Sequence, residues 1–114
     1  VKWFYELRDK WRDVARIVAG VAKRLYPGSE VYVIGSVAEG TFTATSDLDI
    51  LVVLPHDPSP RERLEAKTII LLQAFDEGLP FHYPVDLHVV GPNGLREYKR
   101  YARKIIPVDP QHDH

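Results

Sequence analysis

The 114-residue sequence predicts one α/β (α+β) domain, residues 1–114, in which a small β-sheet is flanked by helices. Two observations predict this fold class. Apolar residues recur at steps of three and four within residues 4–25 and 60–77, which is typical of amphipathic helices. Three shorter apolar runs, at residues 30–34, 48–54 and 85–90, have the length and alternation of strands. A chain of this length is sufficient for one compact core.

The first predicted helix extends from Phe4 to Leu25 and ends where Pro27 and Gly28 stop its propagation. Its apolar stripe is expected to pack in the core. Its first half is rich in aromatic residues, and the alternative interpretation is that part of this surface is a docking face for a partner. The aromatic residues concerned are Trp3, Phe4, Tyr5 and Trp11.

The second predicted strand carries acidic residues at its entry. Beyond Asp49 this run is apolar on both faces, so we expect a central strand covered by helices on at least one side. Because strand side chains alternate, Asp47 and Asp49 are expected on one face, about 6.5 Å apart. The third strand carries Asp86 between apolar residues, where a charge is disfavoured unless it is paired or bound to a metal. Asp86 is therefore the candidate third carboxylate.

The remaining two helices differ in how clearly the sequence marks them. Ser59, Pro60 and Glu62 have the spacing of a capping box, and Gly78 follows the last turn. The face expected to pack on the sheet is Leu64, Lys67, Thr68, Leu71, Leu72 and Phe75. The last helix is predicted over residues 95–104. Its cations are expected to be solvated or, alternatively, to meet a triphosphate or an acidic partner, and they include Arg96, Lys99 and Arg100.

Composition excludes several classes of function. The absence of cysteine excludes disulfides, thiolate zinc sites and a cysteine nucleophile. A net charge of -1 argues against binding of extended nucleic acid by bulk electrostatics. No apolar run approaches the roughly 20 residues that span a membrane, so a cytoplasmic protein is expected. The terminal Gln111-His112-Asp113-His114 offers stray metal ligands, but a frayed terminus is the favoured interpretation.

Phosphate and metal chemistry are indicated by two features in combination. Gly35 allows close approach of the backbone to a phosphate, and the Ser36 hydroxyl and nearby amides can donate to its oxygens. Carboxylates such as Asp47 and Asp49 prefer hard cations such as Mg²⁺ or Mn²⁺. Taken alone, the turn is more typical of an ordinary loop, and the aspartates are typical of caps. Their combination is much more specific than either part.

The order and spacing of these residues resemble the minimal nucleotidyltransferases of the DNA polymerase beta superfamily. Gly35-Ser36 is followed after ten residues by Asp47-Leu48-Asp49 and later by Asp86 in an apolar strand, so the similarity covers about residues 31 to 90. The resemblance implies a polymerase-beta-like nucleotidyltransferase fold with a mixed β-sheet of three to four strands. It also implies that Gly35 and Ser36 hold a nucleoside triphosphate, that Asp47 and Asp49 hold two divalent ions, Mg²⁺ or Mn²⁺, and that Asp86 binds the catalytic ion and helps deprotonate the acceptor.

One residue departs from the family pattern. Many small members carry an arginine where this chain has Glu39, so either Glu39 points away, a basic residue compensates, or nucleotide affinity is weak. His88, on the same strand face as Asp86, is expected to be an ordinary strand histidine or, alternatively, an acceptor contact.

The resemblance also suggests what the domain acts on. Small stand-alone members resemble antitoxins that nucleotidylate a helical HEPN protein, so transfer of a nucleoside monophosphate from ATP or another NTP to a protein partner is the leading hypothesis. The alternatives are transfer to a small molecule or an RNA at a self-associated dimer, and a non-catalytic partner-binding module that keeps the fold.

Overall fold

Eight elements follow one another in the computed structural model, which describes residues 2–110 and the side chains from residue 7 onward. They are α1 (Lys2–Leu25), β1 (Glu30–Ile34), α2 (Gly35–Glu39), β2 (Leu48–Val53), α3 (Pro60–Asp76), β3 (Val85–Val90), α4 (Pro92–Tyr101) and β4 (Ile106–Pro107). Two sequence predictions fall elsewhere. The stray metal ligands at residues 111–114 lie outside the described residues, and the side chains of Trp3, Phe4 and Tyr5 lie outside the described side chains.

The strands form one mixed sheet in the order β3-β2-β1-β4. β1 is antiparallel to β2 and to β4, whereas β2 and β3 are parallel. This confirms the predicted mixed sheet with a central β2. The fourth strand is the short β4, which pairs Ile106 with Val33 and Pro107 with Tyr32.

Most of the core lies on one face of the sheet, under α1 and α3. Leu48, Ile50 and Val52 of β2 point to this face and are fully buried. Trp11 of α1 belongs to the same core and is 7% exposed, so it is not available as part of a docking face. A smaller cluster on the opposite face is formed by Leu51 and Val53 with residues of α4.

The predicted packing face of α3 is partly wrong. The helix begins as expected at a capping box, in which the Ser59 hydroxyl accepts from the Glu62 amide and the Glu62 carboxylate accepts from the Ser59 amide. Its buried residues are Ala66, Ile70 and Ala74. Leu71 and Phe75 are partly buried, but four residues of the predicted face are exposed: Leu64, Lys67, Thr68 and Leu72. Small alanines let the helix approach the sheet closely, and this turns the leucines at 64 and 72 outward.

The last helix begins and ends three residues earlier than the predicted range, residues 95–104. Pro92 occupies its first turn, where a proline costs no hydrogen bond. The Asp57 carboxylate, from a distant loop, accepts from the Asn93 amide at 3.0 Å. The helix ends at Tyr101 because Ala102 is extended. Among the described helices, none is long and apolar enough to cross a membrane.

Candidate active site

Two of the three candidate carboxylates lie side by side on neighbouring strands. The parallel β2–β3 ladder pairs Asp49 with Asp86 directly, and residues in register on adjacent strands point to the same face. That face is the one opposite the main core, because Leu48 and Ile50 on either side of Asp49 point into the core. The side chain of Asp49 is 27% exposed and that of Asp86 is 46% exposed. Solvent and a ligand can therefore reach both carboxylates.

His88 completes this cluster. It follows Asp86 by two residues and therefore shares its face. The His88 Nε2 atom lies 3.2 Å from Asp49 Oδ1 and 3.4 Å from Asp86 Oδ2. One potential ligand atom from each of the three residues lies within 4.8 Å of the others. The strand face predicted for His88 is correct, but its contact with both acids was not anticipated.

Asp47, the third candidate carboxylate, lies immediately before β2. β2 begins at Leu48, so Asp47 precedes the strand and the alternation rule does not place it beside Asp49. It is exposed and lines a surface cavity of ≈ 180 Å³ together with His82 and Pro84. Within the described part of the chain, Asp47 is not grouped with the ligand atoms of Asp49, Asp86 and His88.

Gly35 contacts the carboxylate of Asp49 directly. The β1–β2 ladder pairs Ile34 with Asp49, so the chain turns into α2 immediately beside the acid. Gly35 has a φ of 71°, and a Cβ atom there would lie 2.5 Å from Asp49 Oδ2. Only glycine fits both the backbone conformation and this approach. Ser36 follows in the first turn of α2, which Gly40 ends with a φ of 73°.

The two carboxylates place negative charge close to α4. Burial raises the pKa of the Tyr98 phenol, and the negative charges of Asp49 and Asp86 raise it further. Tyr98 therefore lies close enough to both carboxylates for their charges to affect its pKa. Among residues 2–110, neither acid forms an ion pair with a lysine or an arginine. A negative potential of this kind favours a bound cation.

An apolar cavity opens beside the turn at Gly35. Its volume is ≈ 410 Å³, and it is lined by Ile34, Gly35, Glu39, Glu97, Tyr98, Tyr101 and Ala102. Glu39 is thus one of two acidic residues that line this cavity, with Glu97. No lysine or arginine among the described residues lines it. Arg96 and Arg100 line a neighbouring cavity of ≈ 640 Å³ with Asn93 and Gly94.

Comparison with known proteins identifies the family. A model described as a nucleotidyltransferase domain matches residues 14–111. The chain belongs to this nucleotidyltransferase family. None of the curated proteins searched matches the chain.

Solved structures agree with this nucleotidyltransferase fold. A protein classed as a nucleotidyltransferase from Sulfolobus solfataricus is 20% identical, with a TM-score of 0.60 over 90% of this chain and 83% of the other. A second protein of the same class is 24% identical, with a TM-score of 0.54 over 79% and 91%. A toxin-antitoxin complex with AMP-PNP contains a chain that is 20% identical, with a TM-score of 0.50 over 85% and 74%. At these identities the likeness shows the fold.

The nucleotidyltransferase domain therefore brings several of the sequence-predicted residues together. They are Gly35, Asp49 and Asp86, which lie close together where α2 begins beside β2 and β3. Ser36 is the next residue of α2. His88 was recoverable from strand alternation, since it lies two residues after Asp86. Tyr98 was not, because its position depends on how α4 packs across the sheet.

Proposed function

We propose that this nucleotidyltransferase domain transfers a nucleoside monophosphate from ATP or another NTP to an acceptor hydroxyl and releases pyrophosphate. The observation that supports this most strongly is the in-register pair Asp49 and Asp86 beside the glycine turn at Gly35. Phosphoryl-type transfer requires positioning and charge neutralisation more than covalent chemistry, and a partly exposed pair of carboxylates next to a tight turn suits that task.

The donor set fits divalent cations. Carboxylate oxygens in an electronegative, partly solvated site are the ligands that Mg²⁺ and Mn²⁺ accept. Asp49 and Asp86 would hold the ions, and Asp47 would contribute to a second ion from the loop before β2. When bound, the two ions supply neutralisation of the triphosphate charge and activation of the acceptor hydroxyl.

The chain's own residues would then perform the remaining steps. Gly35 and Ser36 bind the triphosphate, while an Asp86 carboxylate oxygen accepts the proton of the acceptor hydroxyl. The acceptor oxygen forms a bond to the α-phosphorus, and the bond from that phosphorus to the bridging oxygen breaks as pyrophosphate leaves. The apolar cavity with Tyr98 and Tyr101 can hold the nucleoside, because base stacking on tyrosine tolerates any base.

The acceptor we propose is a tyrosine or another hydroxyl of a protein partner. A structural neighbour belongs to a toxin-antitoxin complex that contains AMP-PNP, which supports a partner protein. We propose a HEPN-type toxin as this partner from the sequence resemblance alone. We infer a cytoplasmic setting for such a pair. The second candidate is a non-catalytic partner-binding module. It is favoured by Glu39 and Glu97, which line the cavity beside Gly35 and would repel a triphosphate bound at the adjacent turn.

Affinity capture from the native host, followed by incubation with labelled NTP and Mg²⁺, tests the proposal. We expect intact-mass analysis to find one nucleoside monophosphate added to a captured partner. Asp86→Asn and Asp49→Asn should each reduce transfer by at least about 100-fold. Asp76→Asn, an exposed acid at the end of α3, should leave it within about twofold.

Two results would contradict the enzyme proposal. Retained transfer by both Asp49→Asn and Asp86→Asn would exclude this site. Capture of a partner by wild-type protein and by Asp49→Asn, without transfer in either case, would favour the binding module.

A further inference from the structure

We propose that His88 is a direct metal ligand and that Asp49, Asp86 and His88 together bind a first-row transition ion, such as Mn²⁺ or Co²⁺, in preference to Mg²⁺. This inference rests on the proposed function only in placing a metal at Asp49 and Asp86. It adds a nitrogen ligand to a site whose other donors are oxygens.

The positions of the donor atoms support this assignment. A metal with bonds of about 2.1 Å to its ligands has ligand-ligand separations of about 3.0 Å in an octahedron and about 3.4 Å in a tetrahedron. The His88 Nε2 atom lies 3.2 Å and 3.4 Å from the two carboxylate oxygens. These separations match two edges of a coordination polyhedron, and the third pair of ligand atoms lies within 4.8 Å.

The fold holds all three donors on rigid elements. Asp49 lies on β2, and Asp86 and His88 lie two residues apart on β3, in a parallel ladder with fixed register. The turn at Gly35 runs close to the Asp49 carboxylate, since a Cβ atom there would lie 2.5 Å from Asp49 Oδ2. Sites on strands hold donor geometry better than sites on loops, which distinguishes these three residues from Asp47.

Ligand chemistry predicts the metal preference. Mg²⁺ prefers oxygen ligands and retains several waters, whereas imidazole binds borderline ions such as Co²⁺ and Zn²⁺ more strongly. The competing explanation is that His88 acts only as a positive partner of the two acids. These explanations predict opposite effects of removing the imidazole. Loss of a ligand weakens metal binding, whereas loss of a competing positive charge strengthens it.

Calorimetric titration of the nucleotide-free protein with Co²⁺, Mn²⁺ or Mg²⁺ separates the two explanations. All proteins should carry His112→Gln and His114→Gln, because these terminal histidines could also bind metal. We expect Co²⁺ to bind at least about tenfold more tightly than Mg²⁺, and His88→Gln to weaken Co²⁺ binding at least about tenfold while changing Mg²⁺ binding by less than about threefold. His56→Gln, at an exposed histidine paired with Glu62, is the matched control and should bind as wild type.

Spectroscopy of metal bound to the wild-type protein tests coordination by His88 without depending on how the variants fold. Electron spin-echo envelope modulation of bound Mn²⁺ should detect coupling to a coordinated imidazole nitrogen in wild type and lose it in His88→Gln. In His88→Asp, which replaces nitrogen with oxygen, we expect binding to return with a preference for Mg²⁺. The inference is overturned if wild type shows no nitrogen coupling, if the coupling persists in His88→Gln, or if that variant binds Co²⁺ as well as or better than wild type.

These outcomes are distinguishable from failure of the proposed function. If His88→Gln transfers nucleotide normally with Mg²⁺ and binds Co²⁺ unchanged, the His88 inference fails and the transferase proposal stands. If wild type binds Co²⁺ through His88 but transfers nothing to a captured partner, the metal site stands and the transferase proposal fails.

Discussion

The two faces of the sheet differ although the same strands build both. On β2, Leu48, Ile50 and Val52 are fully buried under α1 and α3, whereas the side chain of Asp49 between them is 27% exposed. The first face has two helices and a continuous apolar core. The second face has one helix, α4, over a small cluster, and its open part carries the candidate active site. Strand alternation therefore places the candidate site on the less covered face, where Asp49 is partly exposed beside the buried Leu51.

The largest effect on stability is expected on the core face. Ile50→Ala removes a fully buried side chain and leaves a cavity, so the free energy of unfolding should fall by about 2–5 kcal/mol. Asp49→Asn, one residue away on the other face, should change it by less than about 1 kcal/mol because its partner His88 is partly solvated. Chemical denaturation of both variants measures the difference. Equal losses of unfolding free energy in the two variants would contradict the expected difference between the two faces.

Gly35→Ala tests how closely the turn and the active-site face are connected. Both Gly35 and Gly40 have positive φ angles, so an alanine at either position costs roughly 1–2 kcal/mol of backbone strain. At Gly35 the new Cβ would also lie 2.5 Å from Asp49 Oδ2, whereas at Gly40 it would lie within 4 Å of nothing beyond its neighbours along the chain. Gly35→Ala should therefore reduce nucleotidyl transfer at least about tenfold, while Gly40→Ala mainly lowers stability. Similar transfer by both variants would contradict the account.

The N-cap of α3 stabilises a helix that covers the core face, and part of this stabilisation should depend on pH. Ser59→Ala removes the N-cap and should lower the free energy of unfolding by about 1 kcal/mol. Hydrogen bonding from the Ser59 amide, followed by the bond to His56, lowers the pKa of Glu62. Stabilisation by Glu62 is therefore complete above its ordinary, unfolded pKa and is lost as the pH falls through the lowered folded pKa. Glu62→Gln should be less stable than wild type at pH 7 and converge with it at low pH, as measured by urea unfolding.

The smallest effect on the free energy of unfolding is expected at Leu72, an exposed apolar residue of α3. Leu72→Gln changes a side chain that is 62% exposed, so the free energy of unfolding should change by less than about 0.5 kcal/mol. A loss above about 2 kcal/mol would show that this part of α3 is buried, as the sequence pattern had suggested.

Local signals in the sequence were sufficient for most elements. The strand bounds of β1 and β3 and the capped start of α3 follow from alternation, flanking glycines and the Ser59–Glu62 spacing. The face of α3 was mispredicted because apolar residues surround this helix, and the choice depends on which side is small enough to approach the sheet. The start of α4 depends on the distant Asp57, and β4 exists only through its pairing with β1. These are tertiary effects that periodicity does not contain.

The candidate site, too, was predicted only in part from local signals in the sequence. Asp49, Asp86 and Gly35 were predicted together, and the structure brings them together through strand register. Asp47 was assigned to the strand face by alternation, but β2 begins one residue later. Its role as a ligand stays a prediction that requires the preceding loop to bring its carboxylate to an ion.

Anomalous diffraction from crystals grown with Mn²⁺ and a non-hydrolysable triphosphate analogue tests the central claim most directly. We predict an anomalous peak at about 2.2 Å from carboxylate oxygens of both Asp49 and Asp86, with the analogue's phosphates at Gly35 and Ser36. An anomalous peak away from these carboxylates, or phosphates bound elsewhere on the domain, would contradict the assignment of this face as the nucleotidyl-transfer site.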